Sequence, residues 1–294
     1  MTSAQPELFD AHAHFFSSDC ARYPIDVTGA REGEEAIRKR IAADPLDEET
    51  LLALWRECGV SGGAAVQYNS VYKTDNRYAI EVGDRNRDMT GTVVMLPAAD
   101  PGTPDHIARL GRAHNVTGLR LFGQPDADGT YPWLDSGPAL ETWRAVANAG
   151  MAMVVMYVPG TVTARAIASI VTLAKTFPEV PIAIDHCGWA GSGTAQEDRP
   201  LEAIVALENI SLKFTQININ RWRANGYDPS EYLTRLTDLV GPDRVMWGSD
   251  VGNTQMLFPA LVAEAVAATS RLSERDRHKV LSTNGRAMFL REEA

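Results

Sequence analysis

The stretch Phe9-Asp10-Ala11-His12-Ala13-His14-Phe15-Phe16 decides how the chain is read. Two histidines two residues apart share one face of a β-strand, because successive strand side chains point to opposite sides. Leu8-Phe9 before them and the aromatic pair after them mark a short buried strand. Imidazoles fill a dry core poorly unless both ring nitrogens find partners. A single histidine here would read as a satisfied core residue. A pair closing an apolar strand reads instead as a polar site at the mouth of a larger structure. Its partners must come from elsewhere in the chain.

Working outward, short β-branched or apolar runs alternate with longer amphipathic ones. Strands are expected at 8–14, 63–68, 91–97, 116–122, 151–158, 180–186, 210–216 and 244–250. Helices are expected at 46–58, 75–87, 104–114, 138–149, 161–177, 196–208, 229–240, 254–269 and 274–290. The polar segment 17–45 reads as a loop insertion carrying a helix over the site. In the helix at 46–58, Asp47, Glu48 and Glu49 suit the positive N-terminal end and Gly59 follows its C-terminus. Strand–helix alternation implies a parallel sheet with helical crossovers, and eight such units imply a closed (β/α)8 barrel over residues 1–294. A doubly wound sheet would need a glycine-rich phosphate turn after the first strand, where this chain has His-Ala-His.

At 294 residues and 45% hydrophobic, the chain is the size of one such barrel. Its 28 basic and 38 acidic residues leave a net charge of −10, which disfavours nucleic acid and anionic membranes as partners. Met1–Glu7 lacks the pattern of a secretory signal, and the run 151–158 is too short to span a bilayer. Cys20, Cys58 and Cys187 form no CxxC pair, which fits a reducing, cytoplasmic setting. Cys187 reads as a small buried filler. A homo-oligomer stays open.

In a (β/α)8 barrel the site is built at the C-terminal ends of the strands. Those ends supply His12 and His14, Gln67 and Tyr68 with Asn69 just beyond, Arg120, Tyr157, His186 and Asp250. On the seventh strand, Lys213 and Thr215 face the axis if Leu212 and Phe214 meet the helices, and Arg221 and Arg223 lie in the segment after it. Asp250 alone would suit a helix N-cap, and His186 alone a core position. Beside the paired histidines both read as site residues. Asp185 is expected to face outward or to orient a partner. His106, His114 and His278 fall on helices without ligand spacing and read as surface residues.

Phe-Asp-Ala-His-Ala-His, Asp-His-Cys-Gly and Arg-Val-Met-Trp-Gly-Ser-Asp resemble the first-, sixth- and eighth-strand motifs of the amidohydrolase superfamily. Val-Thr-Gly-Leu-Arg-Leu-Phe and Asn284-Gly285-Arg286-Ala287-Met288-Phe289 are similar to the fourth strand and C-terminal helix of its amidohydrolase-related branch. That branch holds 2-pyrone-4,6-dicarboxylate hydrolase, sulfomuconolactone hydrolase and sugar lactonases. The resemblance spans nearly the whole chain. It implies a lactonase in which Asp250 takes a proton from water while His12, His14 and His186 polarise the ester. Arg120, Tyr157, Arg221, Lys213, Gln67 and Tyr68 would bind the substrate, a small lactone or carboxylic acid. Two-metal members carry a lysine where this chain has Arg120, and one-metal members a strand-five histidine where it has Tyr157. The resemblance therefore implies that no cofactor is required. The alternative is one Zn2+ or Mn2+ on His12, His14, His186 and Asp250. A metal-dependent decarboxylase of a small aromatic or muconate-type acid, and a barrel that binds a small acid without turnover, complete the readings.

Overall fold

The computed structural model describes residues 7–30, 32–158, 163–191 and 198–291. Eight parallel strands pair in chain order: β1 (Leu8–Ala13), β2 (Val60–Val66), β3 (Thr90–Met95), β4 (Val116–Gly123), β5 (Ala152–Tyr157), β6 (Ile182–Asp185), β7 (Ile210–Phe214) and β8 (Val245–Trp247). Helical segments cross between them, giving the (β/α)8 barrel that the alternation implies. The outer strand faces meet amphipathic helices. In Glu48–Glu57, for example, Leu51, Leu52 and Trp55 are buried, each contributing roughly 2 kcal/mol. The Asp47 side chain caps that helix by accepting from the Thr50 amide at 3.1 Å. The inner faces carry a smaller apolar cluster of Phe9, Ala11, Ala64, Val66, Val93, Ala152, Val154, Ala183 and Met246. Phe289, from the last helix, joins this cluster near the N-terminal ends of the strands.

Several expected boundaries move. A helix expected at 196–208 is a 3-10 turn, Arg199–Ile204, begun by Pro200; positions 196 and 197 lie outside the described residues, as do 161 and 162 of the helix expected at 161–177. The 17–45 segment does carry a helix, Glu34–Ala43. The strand expected at 244–250 ends at Trp247, and the chain then leaves the ladder through Gly248-Ser249-Asp250.

That early exit shapes the closure of the barrel. β8 meets β1 through a few specific bonds. The Ser249 amide donates to Asp10 Oδ1 at 2.7 Å and its hydroxyl to Asp10 Oδ2 at 2.5 Å. The Asp250 amide donates to the His12 carbonyl at 2.8 Å, and the His14 amide to the Val251 carbonyl at 3.2 Å. β1 itself bulges: Asp10 lies opposite Gly63 and Ala13 opposite Ala65, three steps against two. A bulge re-aims side chains, and this one sends His12 inward next to Ala11. Strict alternation would have sent it out. At Gly248 a Cβ would stand 2.4 Å from the His12 Cβ, so only glycine lets the two strands approach.

No helix among the described residues is long and apolar enough to cross a membrane.

Gly248→Ala should therefore destabilise the fold by at least about 1–3 kcal/mol, the usual cost of overpacking. Gly137→Ala, at a helix start where an added Cβ meets nothing within 4 Å, should be neutral or stabilising. Paired urea denaturation curves read both. Equal midpoints would mean that the β8–β1 seam is not tight.

Candidate active site

At the C-terminal rim, His12 Nε2 and His14 Nε2 lie 3.3 Å apart. They stand 3.6 and 3.5 Å from Asp250 Oδ1 respectively. All three side chains are almost completely buried. The other ring nitrogens each face an oxygen acceptor. His14 Nδ1 is 2.8 Å from the Val66 carbonyl, an obligate acceptor, so Nδ1 carries a proton and Nε2 faces the site. His12 Nδ1 faces a carboxylate, Asp185 Oδ1, at 3.4 Å. Burial pushes the His12 pKa down to about 3, so its ring is neutral near pH 7. Two imidazole nitrogens and a carboxylate oxygen thus converge within 3.6 Å of one another in a dry site, a donor set that suits a cation.

Asp250 sits just past β8 at φ 59°, a left-handed conformation that Asp tolerates. Its Oδ2 accepts from Asn253 Nδ2 at 2.8 Å and Thr254 Oγ1 at 3.0 Å. Burial alone would raise its pKa; the bond with His14 and the fields of His186 and His12 outweigh it and hold the carboxyl below its ordinary range. Among the described residues, His12, His14 and Asp250 form the one group able to hold a metal ion. The donor set fits: two imidazole nitrogens and an ionised carboxylate, with His14 held by the Val66 carbonyl at its far nitrogen and His12 Nδ1 facing Asp185 Oδ1 at 3.4 Å.

His186 is beside this group but not in it. Its ring centroid is 5.8 Å from that of His12, and its Nδ1 is 2.8 Å from Thr215 Oγ1. It opens a left-handed turn in which His186, Cys187, Gly188 and Trp189 all have φ between 50 and 65°. Three of these are not glycine, which costs about 1–2 kcal/mol each. The turn is pinned from every side. Tyr157 Oη donates to the Gly188 carbonyl at 2.8 Å, Trp189 Nε1 to the Tyr157 carbonyl at 2.5 Å, and Asn218 Nδ2 to the His186 carbonyl at 2.8 Å. Cys187 is buried in the same turn, with its thiol pKa pushed up by desolvation.

Other expected site residues take up partners of their own. Asp185 does not face outward: it is wholly buried, because the inner face of β6 meets β4 and β7 cations there. Arg120 Nε donates to its Oδ2 at 2.8 Å, and Lys213 Nζ is 3.1 Å from Oδ1. Arg120 and Lys213, expected to hold substrate, are thus engaged by this carboxylate, which the two cations and His12 keep well below its usual range against the cost of burial. Gln67 spends its amide on the carbonyls of Lys73 and Asp75. Tyr68 stacks on His14 at 4.5 Å, and its hydroxyl lies between Glu32 Oε1 and Asn253 Oδ1. Arg221 lies over the Trp189 ring at 4.5 Å, whereas Arg223 pairs with Glu264 at the surface. Among the residues the sequence reading passed over, Asn253 and Thr254 carry a usable signal: three and four residues past an Asp is where its carboxylate finds donors. Glu32 and Asp10 carry none, since one sits in an irregular segment and the other reads as filler in an apolar strand.

Fold and rim together define a (β/α)8 barrel whose polar groups gather at the C-terminal strand ends. The chain belongs to the amidohydrolase family, which it matches over residues 9–291. It is 26% identical over 254 residues to an L-fucono-1,5-lactonase of Burkholderia ambifaria, covering 82% of this chain and 79% of the relative. Among solved structures it is similar to an amidohydrolase from Burkholderia multivorans with bound zinc, at TM-score 0.73 and 17% identity over 96% of this chain and 98% of that one. A probable 2-pyrone-4,6-dicarboxylic acid hydrolase from Acinetobacter baumannii with citric acid bound gives TM-score 0.72 and 16% identity, over 96% and 99%.

Tyr157→Phe removes a buried donor to the strained turn. It should lower stability by about 1 kcal/mol in chemical denaturation. An unchanged midpoint would show that the Gly188 contact does not hold the turn.

Proposed function

We propose that this chain hydrolyses a small hydroxylated lactone, with one divalent metal held by His12, His14 and Asp250. The observation that carries the reading is the meeting of two imidazole nitrogens and an ionised carboxylate oxygen within 3.6 Å of one another in a buried site. It favours the metal-assisted alternative over the cofactor-free one. A carboxylate held below its ordinary pKa is a poor base by itself. When bound, the metal would polarise a carbonyl oxygen and make water a better nucleophile at neutral pH.

The side chains then divide the work. Water attacks the lactone carbonyl carbon, and Asp250 accepts the proton that water loses. The ring C–O bond breaks as the tetrahedral intermediate collapses, and the departing oxygen takes up a proton. His186 would make that transfer from its Nε2, its Nδ1 lying 2.8 Å from Thr215 Oγ1. The product is the open hydroxy acid. Two features support a hydroxylated rather than a carboxylated ring. Arg120 and Lys213, which would clamp a carboxylate, already share Asp185. Glu32 Oε2, buried near Tyr68 without a partner among the described residues, would accept a substrate hydroxyl and repel an anion. The likeness to an L-fucono-1,5-lactonase agrees with this substrate class. The interior of a cell and one small-molecule substrate, without nucleic acid or membrane, suit the acidic net charge.

A panel of sugar 1,5-lactones, including L-fucono-1,5-lactone, set against 2-pyrone-4,6-dicarboxylate and read by acid release in a pH-stat, tests the reading. Turnover should favour the sugar lactones, fall on chelation and return with Zn2+ or Mn2+. Asp250→Asn should lower the rate by about 10^2–10^4-fold. Turnover that survives complete removal of metal would reject the metal. Release of carbon dioxide from hydroxybenzoates with no lactone opened would replace the reaction with decarboxylation.

A further inference from the structure

We propose that Asp185 is a positioning residue that acts through His12, and that Lys213 and Arg120 serve as its buried counterions rather than as substrate ligands. The inference deepens the reading of His12 as a metal ligand and rests on it. It starts from the inner face of the barrel below the rim. β6 presents Asp185 at its last position, directly before the turn that carries His186. Its neighbour in register on β7 is Lys213, and Arg120 reaches it from β4. Lys213 Nζ also lies 4.9 Å from the Phe289 ring centroid, against the apolar floor. All of these groups are shut off from solvent, with side chains exposed by 5% or less.

The carboxylate divides between its two oxygens. Oδ2 takes a good hydrogen bond from Arg120 at 2.8 Å. Oδ1 has no hydrogen bond of good geometry; it stands 3.1 Å from Lys213 Nζ and 3.4 Å from His12 Nδ1. That leaves one anionic lone pair for the imidazole. If His12 carried its proton on Nε2, an Nδ1 lone pair would oppose a carboxylate oxygen in a dry interior, with nothing to relieve the repulsion. With the proton on Nδ1, the same pair becomes a charge-assisted contact and Nε2 is free to ligate. A carboxylate buried alone could not stay ionised; two cations on either side let it do so. The neighbouring Asp185 and His186 thus have separate tasks, one beneath the ligand set and one beside it.

The first test is on the metal-free wild type. Two-bond 15N–1H correlation spectra with labelled histidine, assigned through His12→Gln, should show His12 protonated at Nδ1. A His12 ring protonated at Nε2 would overturn the proposal whether or not the chain binds metal. The second test is Zn2+ affinity. Asp185→Asn alone leaves two buried cations without an anion and is at risk of misfolding. The double variant Asp185→Asn/Lys213→Met keeps the net charge of the group, so it isolates the loss of the carboxylate's anionic pull on His12. With circular dichroism unchanged, it should bind Zn2+ about 10- to 100-fold more weakly, the usual cost of losing an outer partner of a ligand histidine. It should also show a mixture of His12 tautomers. A folded double variant with wild-type Zn2+ affinity and an unchanged tautomer would sink the proposal. A wild type that takes up no Zn2+ at all would reject the metal reading instead, and the tautomer would still decide this one.

Discussion

Everything at the rim depends on how the last strand is joined to the first. Few backbone bonds cross this seam among the described residues, and the strongest polar link is the Asp10 carboxylate, which accepts both the amide and the hydroxyl of Ser249. Asp10 is wholly buried, and burial raises its pKa against the pull of those donors. Through this link, and through the absence of a side chain at Gly248, the chain just past β8 is pressed onto β1. Asp250 therefore arrives within 3.6 Å of two imidazoles that lie over two hundred residues away in the chain. A looser seam would leave the same residues in the same order with no site between them.

Charge in the barrel is arranged in two layers. The upper one is Asp250 with His12 and His14, one carboxylate against two imidazoles. The lower one is Asp185 with Arg120 and Lys213, where cations outnumber anions. His12 belongs to both, one nitrogen in each. Such layering keeps ionised groups in a water-poor interior, where an isolated charge would be neutralised or hydrated. It also explains why three of the four rim residues sit on irregular backbone: a bulge aims His12, and left-handed residues aim His186 and Asp250. Regular strands would have pointed these side chains along the pleat, and strain is tolerated here because neighbouring bonds over-determine it.

The sequence made the barrel legible because eight apolar runs alternate with amphipathic ones, a pattern that depends only on periodicity. His12, His14, His186 and Asp250 were legible as strand-end residues for the same reason. Their convergence was expected, but the irregular backbone that achieves it was not. A period-two rule puts His12 and His14 on one face but is blind to the bulge that turns His12 inward. Arg120 and Lys213 read as substrate ligands because single strands carry no record of what stands across the axis; that Asp185 waits there is a fact of closure. The helix expected at 196–208 failed locally, since Pro200 suits the start of a short turn and the apolar spacing after it is too brief to sustain more.

The aromatic ring of Phe289 lends the barrel a sealed base. It sits among the small apolar side chains at the bottom of the strands, under the ammonium of Lys213. A pore running through the cylinder would let solvent reach the lower charges from behind and screen them. With that end stoppered by the chain's own final helix, the lower charges are shielded from solvent on that side, and their fields act across the interior with little screening from below.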